Sequence, residues 1–250
     1  MITICLTYFR SLTLANLAAA LHSVRRQDLS QVSEIVVVDN NTDDPPSALQ
    51  SLIDQAAFPV PVRLRSFKHG DPARTHSWST NAAVKEVSTP WVFFTRADYL
   101  LDFSAVAKFA AIVQAQGEGW SGFITSNGCH LWDDVERCER TSWRTDGPGL
   151  FRGIEFDYTC IDAGVWMAKR DVVKSVGGLN ERLSAWGHAQ TLFQYKLHAA
   201  GTECVRIHET LFYHPHHDAA RDLALAHQQV RDHGIDVKTL WARYEGAQPY

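Results

Sequence analysis

Two apolar runs that each stop on a carboxylate constrain this chain more than any other feature. Glu34-Ile35-Val36-Val37-Val38 ends on Asp39-Asn40-Asn41, and Trp91-Val92-Phe93-Phe94-Thr95 leads into Arg96-Ala97-Asp98. Short runs rich in β-branched and aromatic residues, bounded by turn formers, read as strands buried on both faces. Around them the apolar spacing becomes helical. Leu14, Leu17, Leu21 and Val24 form one such set, with Ser11 or Thr13 placed to cap it. Leu49, Leu52 and Ile53 form a second behind Pro45-Pro46, since proline suits a helix's first turn. Further strands are expected at 2–7 and 60–66, and helices at 75–87 and 103–116. Strands alternating with helices imply an α/β fold, a Rossmann-like, mostly parallel sheet with helices on both faces. Ligands of such sheets sit outside the carboxyl ends of the strands. Asp39 and Asp98 are therefore expected to face one crevice, suited to a nucleoside diphosphate with room for a divalent ion.

With 250 residues, 45% of them hydrophobic, the chain can bury one large core. A net charge of −4 carries no global basic field of the kind that nonspecific nucleic-acid binders use. Arg63, Arg65, Lys68 and Arg74 are either a solvated face or one local basic patch. The five cysteines lack CxxC spacing, and Cys5 in the first strand reads as a buried thiol. The N-terminus has no basic region before an apolar stretch, and no run approaches a membrane span, so a cytoplasmic location is expected. Phosphate loops of the GxGxxG and GxxxxGK[ST] types are absent, as is a GxSxG elbow.

The second half differs in texture. A strand is expected at 120–126, followed by an irregular stretch at 127–162 rich in Trp, Arg, Asp and Gly, of the kind that forms lids or binding loops. Then come a strand at 163–168 and a helix at 171–176 stopped by Gly177-Gly178. A helix at 184–200, short strands at 204–207 and 211–213, and a helical tail at 217–233 and 237–244 complete the reading. One domain is expected, divided into a nucleotide-binding half (1–116), a second half (117–216) and the tail (217–250).

Several motifs resemble glycosyltransferases of the GT-A fold, in particular the large family 2 of nucleotide-sugar transferases. Thr7-Tyr8-Phe9-Arg10 is similar to a TYNR-like turn, and Val36-Val37-Val38-Asp39-Asn40-Asn41-Thr42-Asp43 to a VVDDxSxD-like turn. A helix bearing Asn81 precedes the strand at 91. Gly177-Gly178-Leu179-Asn180-Glu181-Arg182-Leu183 with Trp186-Gly187 resembles a galactosyltransferase-like GGFDERL…WG acceptor segment. The resemblance spans residues 2 to about 216.

It implies that Asp39 contacts the uracil or ribose of a UDP-type donor, with Thr7, Tyr8, Arg10 and Asn81 lining the same pocket. The family's fourth strand ends in Asp-x-Asp. Here Asp98 keeps the second, metal-coordinating acid, while Arg96 replaces the first and has a planar fork that suits a phosphate. The resemblance implies Mn2+ or Mg2+ held by Asp98 with His214 or His216. Trp186, Gly187, Trp132 and Trp143 are candidate acceptor contacts, whereas Trp166 reads as core. Inverting relatives carry Glu-Asp where this chain has Ala189-Gln190, neither of which accepts a proton. The base is then His188, or an acid such as Glu155, Asp157 or Asp162, unless a retaining course lets the leaving diphosphate take the proton.

The expected activity is hexosyl or pentosyl transfer to an acceptor hydroxyl on a glycan or lipid-linked sugar. An alternative acceptor is a modified nucleobase in DNA, suggested by the aromatic and arginine-rich stretch at 132–152. The competing class is a nucleotide-sugar-binding protein without transfer activity, suggested by Arg96 and Ala189-Gln190.

Overall fold

A computed structural model describes residues 1–40, 42–68, 76–134, 156–157, 164–183, 189–216 and 231, with backbone alone at 130–134, 156–157, 191 and 216. The first half follows the expected alternation: β1 (Ile2–Phe9), α1 (Leu14–Arg25), β2 (Val32–Asn40), α2 (Pro46–Ala56), β3 (Val62–Phe67), α3 (His76–Glu86) and β4 (Trp91–Arg96). A two-residue strand β5 (Leu100–Leu101) and α4 (Ala105–Gln116) follow. Thr13 caps α1 through a capping box with Asn16. Pro46 occupies the first turn of α2.

The second half contains β6 (Phe123–Asp134), β7 (Phe156–Asp157), β8 (Trp166–Lys169), α5 (Arg170–Ser175), α6 (Ala189–Ala199) and β9 (Cys204–His216). The strands form one sheet in the order β3-β2-β1-β4-β8-β6-β9-β5, with β7 paired to β6. β3, β2, β1 and β4 are mutually parallel. β8 runs antiparallel to both β4 and β6, and β9 runs parallel to β6, so the sheet is parallel in its first half and mixed beyond.

Strand alternation sends successive side chains to opposite faces and builds two cores. Ile4, Leu6, Ile35, Val37 and Phe93 pack beneath α1, α2 and α4, where Leu17, Leu21, Ile53 and Phe109 close the layer. Cys5, Val36, Val38, Val92, Phe94 and Trp166 point the other way, against Val84 of α3 and Leu192, Phe193 and Leu197 of α6. Trp166 is fully buried and stacks on Phe94 at 5.0 Å, the core role expected of it. Cys5 is likewise buried, and burial pushes its thiol well above the ordinary range.

Two expectations need correction. Strand β6 continues to Asp134, into the stretch read as irregular from residue 127, because β9 pairs with it along that length. The two short strands expected at 204–207 and 211–213 are one strand. His208-Glu209 breaks the apolar pattern, but the ladder absorbs these residues as a bulge, stepping from Ser126↔Ile207 to Asn127↔Thr210. Asn127 stitches that bulge by donating to the His208 carbonyl at 2.7 Å and accepting from Arg206 Nε at 2.8 Å. The tail expected to be helical lies outside the described residues, except for Arg231.

Candidate active site

The carboxyl edge of the parallel half positions the site. β1 lies between β2 and β4, pairing Tyr8 with Asp39 on one side and Thr7 with Arg96 on the other. At about 4.8 Å per strand, the ends of β2 and β4 open roughly 10 Å apart along one edge. Alternation assigns Tyr8 and Asp39 to one face of the sheet, and Thr7 and Arg96 to the other. A ligand spanning the two sets therefore lies across the strand ends.

Asp39 is fully buried and already organised by its own loop. Its Oδ1 accepts from the Thr42 backbone N–H at 3.1 Å and the Thr42 hydroxyl at 2.6 Å. Its Oδ2 accepts from the Ser66 hydroxyl and from Lys68 Nζ at 2.8 Å. Lys68 also donates to the Thr42 carbonyl at 2.5 Å, closing the loop over the carboxylate. Buried carboxylates are tolerated only when neutralised and hydrogen-bonded, and Lys68 supplies both.

Tyr8 belongs to the core by its ring, while its hydroxyl donates to Asp44 Oδ2 at 2.6 Å. Burial, then this bond to Asp44, pushes the phenol well above its ordinary range. Arg10 sits exposed at the rim, 3.7 Å from Asp43. Arg63 and Arg65 are engaged elsewhere, with Glu34 and Glu86, and Lys68 belongs to the Asp39 cup. Arg74 lies outside the described residues.

At the end of β4, Arg96 and Asp98 form a buried pair, 2% and 1% exposed. Arg96 donates from Nε to Asp98 Oδ1 at 2.8 Å and from Nη2 to Asp98 Oδ2. His214 Nε2 approaches the same Oδ2 at 3.3 Å. The guanidinium lies 5.2 Å from the Phe9 ring centre and 4.6 Å from that of Tyr99, whose edge meets His214. Removing one partner of such a pair leaves an uncompensated buried charge, costing about 3–5 kcal/mol.

This bears directly on a divalent ion. Asp98 and His214 were the expected ligands, but both Asp98 oxygens already carry guanidinium N–H groups. Among the described residues no third ligating group joins them, and the His216 side chain lies outside the description. A hard divalent ion wants carboxylate oxygens free of a competing cation. As arranged here, the described residues do not fit one.

One residue near the site was missed from sequence. His76 opens α3, and its Nε2 meets the Gln190 side-chain nitrogen at 2.8 Å. Gln190 is one of the two residues that the sequence resemblance sets where inverting relatives carry an acid. Burial, and secondarily the Arg96 charge, push the imidazole down to about 3, so it is neutral at physiological pH. Among the described residues, the buried atoms His76 Nδ1, Thr7 Oγ1 and Ser77 Oγ have no hydrogen-bond partner. No sequence motif marks His76; its role emerges only when α3 and α6 pack on the same sheet face.

The acceptor-like segment wraps against α3. Asn81 Nδ2 donates to the Leu179 carbonyl at 2.8 Å and to Glu181 Oε1 at 2.9 Å. Its Oδ1 accepts from the Leu179 N–H at 2.9 Å. Asn81 was expected in the donor pocket; its amide is held by these partners, so a donor contact requires this latch to open. Gly177 and Gly178 take φ of 72° and 63°, which side-chain-bearing residues rarely adopt. A cavity of about 500 Å³ opens here, with Glu181, Arg182, Tyr195 and Lys196 on its walls. His188, Asp162, Trp186, Gly187 and Trp143 lie outside the described residues, and Asp157 and Trp132 are described by backbone alone.

Comparison with known proteins agrees with this fold. The profile of a family described as Glycosyl transferase family 2 matches residues 3–177. No curated protein matches the chain. Among solved structures, TarS of S. aureus, as residues 1–349 with UDP-GlcNAc, has a TM-score of 0.62 at 12% identity. That alignment covers 88% of this chain and 60% of TarS 1–349. A longer TarS structure gives a TM-score of 0.61 at 12% identity, covering 86% of this chain and 36% of that one. The mannosyltransferase PcManGT from Pyrobaculum calidifontis, with GDP-Man and Mn2+, gives 0.59 at 14% identity, covering 85% of this chain and 56% of that one. These likenesses establish the GT-A fold; this chain spans roughly a third to three fifths of those proteins' lengths. Among the described residues, no helix is long and apolar enough to cross a membrane.

Proposed function

The chain belongs to glycosyl transferase family 2, and from that premise we propose that it moves a sugar from a nucleoside diphosphate donor, UDP-type, to an acceptor hydroxyl. The observation that carries the proposal is the shared carboxyl edge, with the Asp39 cup at the end of β2 and the Arg96–Asp98 pair at the end of β4, one strand apart on either side of β1. That spacing suits a nucleoside against the loop that Asp39 organises and its diphosphate near Arg96. Preorganised charges aimed at the leaving group stabilise the transition state without reorganising during reaction.

In this reading Thr7, Tyr8 and Arg10 support the nucleoside side, and Trp132, Trp143, Trp186 and Gly187 contact the acceptor. The acceptor oxygen forms its bond to the anomeric carbon as the bond to the diphosphate breaks. Its proton passes to His188, Asp157 or Asp162. A glycan hydroxyl is the acceptor class we favour. Release of nucleoside diphosphate from UDP-sugars, measured across a panel of sugars with and without candidate glycans, tests the proposal. Tight UDP-sugar binding with no release under any acceptor condition would replace it with the non-catalytic binding reading.

A further inference from the structure

We infer that Arg96 is the fixed cation of the donor site, receiving the donor diphosphate in place of a divalent ion, so that transfer by this chain is metal-independent. The inference rests on the donor reading above and adds how the diphosphate charge is met.

Position comes first. Arg96 is the last residue of β4 and stands beside Thr7 across the β1–β4 ladder, at the edge where ligands of parallel sheets bind. Its plane is held from several directions, by Asp98 through two N–H groups and by the rings of Phe9 and Tyr99. A guanidinium has five N–H donors, so Asp98 leaves three for another acceptor. Planar and permanently charged, it suits two phosphate oxygens at once.

The second observation is a set of unpaired polar atoms on β1 and at the start of α3, which packs on the sheet face that carries Arg96. Thr7 Oγ1, Ser77 Oγ and His76 Nδ1 are buried without hydrogen-bond partners among the described residues. Buried polar groups are nearly always satisfied, and several left open on one face beside a buried cation indicate a ligand that satisfies them. Diphosphate oxygens accept from hydroxyls, from a ring N–H and from guanidinium alike. Burial, and after it the Arg96 charge, keeps the His76 imidazole neutral, a form with one ring N–H to donate.

The third observation concerns Asp98. In this chain it serves as the counterion that keeps Arg96 charged and oriented, with His214 behind it. As the bond from the anomeric carbon to the diphosphate oxygen breaks, its electron pair leaves with that oxygen, and the guanidinium meets the new charge. The acceptor oxygen's bond to carbon forms in the same exchange, its proton going to the base named above.

The experiment is UDP and uridine binding by titration calorimetry to the full chain, in buffer with EDTA and in buffer with Mn2+. The inference expects equal UDP affinity in both buffers. Arg96→Lys, checked for a native circular dichroism spectrum, should weaken UDP about tenfold, the worth of one charge-assisted hydrogen bond, and leave uridine unchanged. Arg96→Asp should make UDP binding require Mn2+. UDP binding that the unaltered protein shows only with Mn2+ would overturn the inference while leaving the transferase reading intact. So would equal losses of UDP and uridine in Arg96→Lys, which mark a purely structural role. If UDP fails to bind in either buffer, the UDP-type transferase reading falls and this inference with it.

Discussion

Asn81→Ala separates a structural latch from a donor contact. Asn81 holds the Gly-Gly turn to α3 through two bonds to the Leu179 backbone and one to Glu181. Leu179 is buried, so truncation leaves its N–H and C=O without partners. Each unsatisfied buried group costs about 1–3 kcal/mol, and water entering the space left by the amide recovers part, giving roughly 2–4 kcal/mol in total. For a chain of this size that lowers the melting midpoint by about 5–15 °C.

Gly178 supplies an internal control. A Cβ there would lie 2.3 Å from Asn81 Oδ1, so Gly178→Ala carries a clash in addition to the strain of φ 63°. In the Asn81→Ala background the clash is gone and only backbone strain remains, about 1 kcal/mol. The double variant should therefore be more stable than the sum of single losses predicts, as measured by urea unfolding in a double-mutant cycle. UDP affinity measured on the same samples reads the donor role. An Asn81→Ala loss below about 0.5 kcal/mol, or strict additivity with Gly178→Ala, refutes the latch. Loss of UDP binding without loss of stability assigns Asn81 to the donor instead.

Other consequences follow from the same geometry. Asp39→Asn removes the charge that holds Lys68 and should lower kcat/KM for donor turnover about 10- to 100-fold, since hydrogen bonds to charged groups contribute about 1.5–3 kcal/mol. Unchanged turnover in a folded variant would remove Asp39 from the site. Tyr8→Phe deletes the bond to Asp44 and should cost about 1 kcal/mol of stability, with a raised donor KM as the loop loosens; a donor KM equal to that of the unaltered chain counts against this. His76 has a folded pKa of about 3, below its unfolded value near 6.5, so the unfolded state takes up the proton first. Stability from this group is complete above about pH 6.5 and falls as pH drops towards about 3. Urea midpoints across that range should fall less steeply in His76→Asn, and parallel curves would argue against a neutral buried imidazole.

How much was legible in the sequence follows the range of the forces involved. Strands β1, β2 and β4 and helices α1 to α4 are announced by local signals: unbroken β-branched runs, helical apolar spacing, a Thr13 cap and a Pro46 start. Those signals act within a few residues, and they suffice to place Asp39 and Asp98 at the strand ends. The length of β6 and the unity of β9 were not legible. Their pairing is nonlocal, and the ladder absorbs His208-Glu209 as a bulge that spacing alone reads as a break.

The site divides the same way. That Arg96 stands where the resemblance expects an acid was visible in the sequence. That it grips Asp98 with both partners buried depends on Phe9 and His214 arriving from β1 and β9, with Tyr99 supplied by the same turn. The meeting of His76 and Gln190 likewise needs α3 and α6 on one sheet face. Local chemistry determined the elements and the order of their strand-end groups. Which charges neutralise which was decided only by tertiary packing, because removing water from a carboxylate makes its nearest cation compulsory.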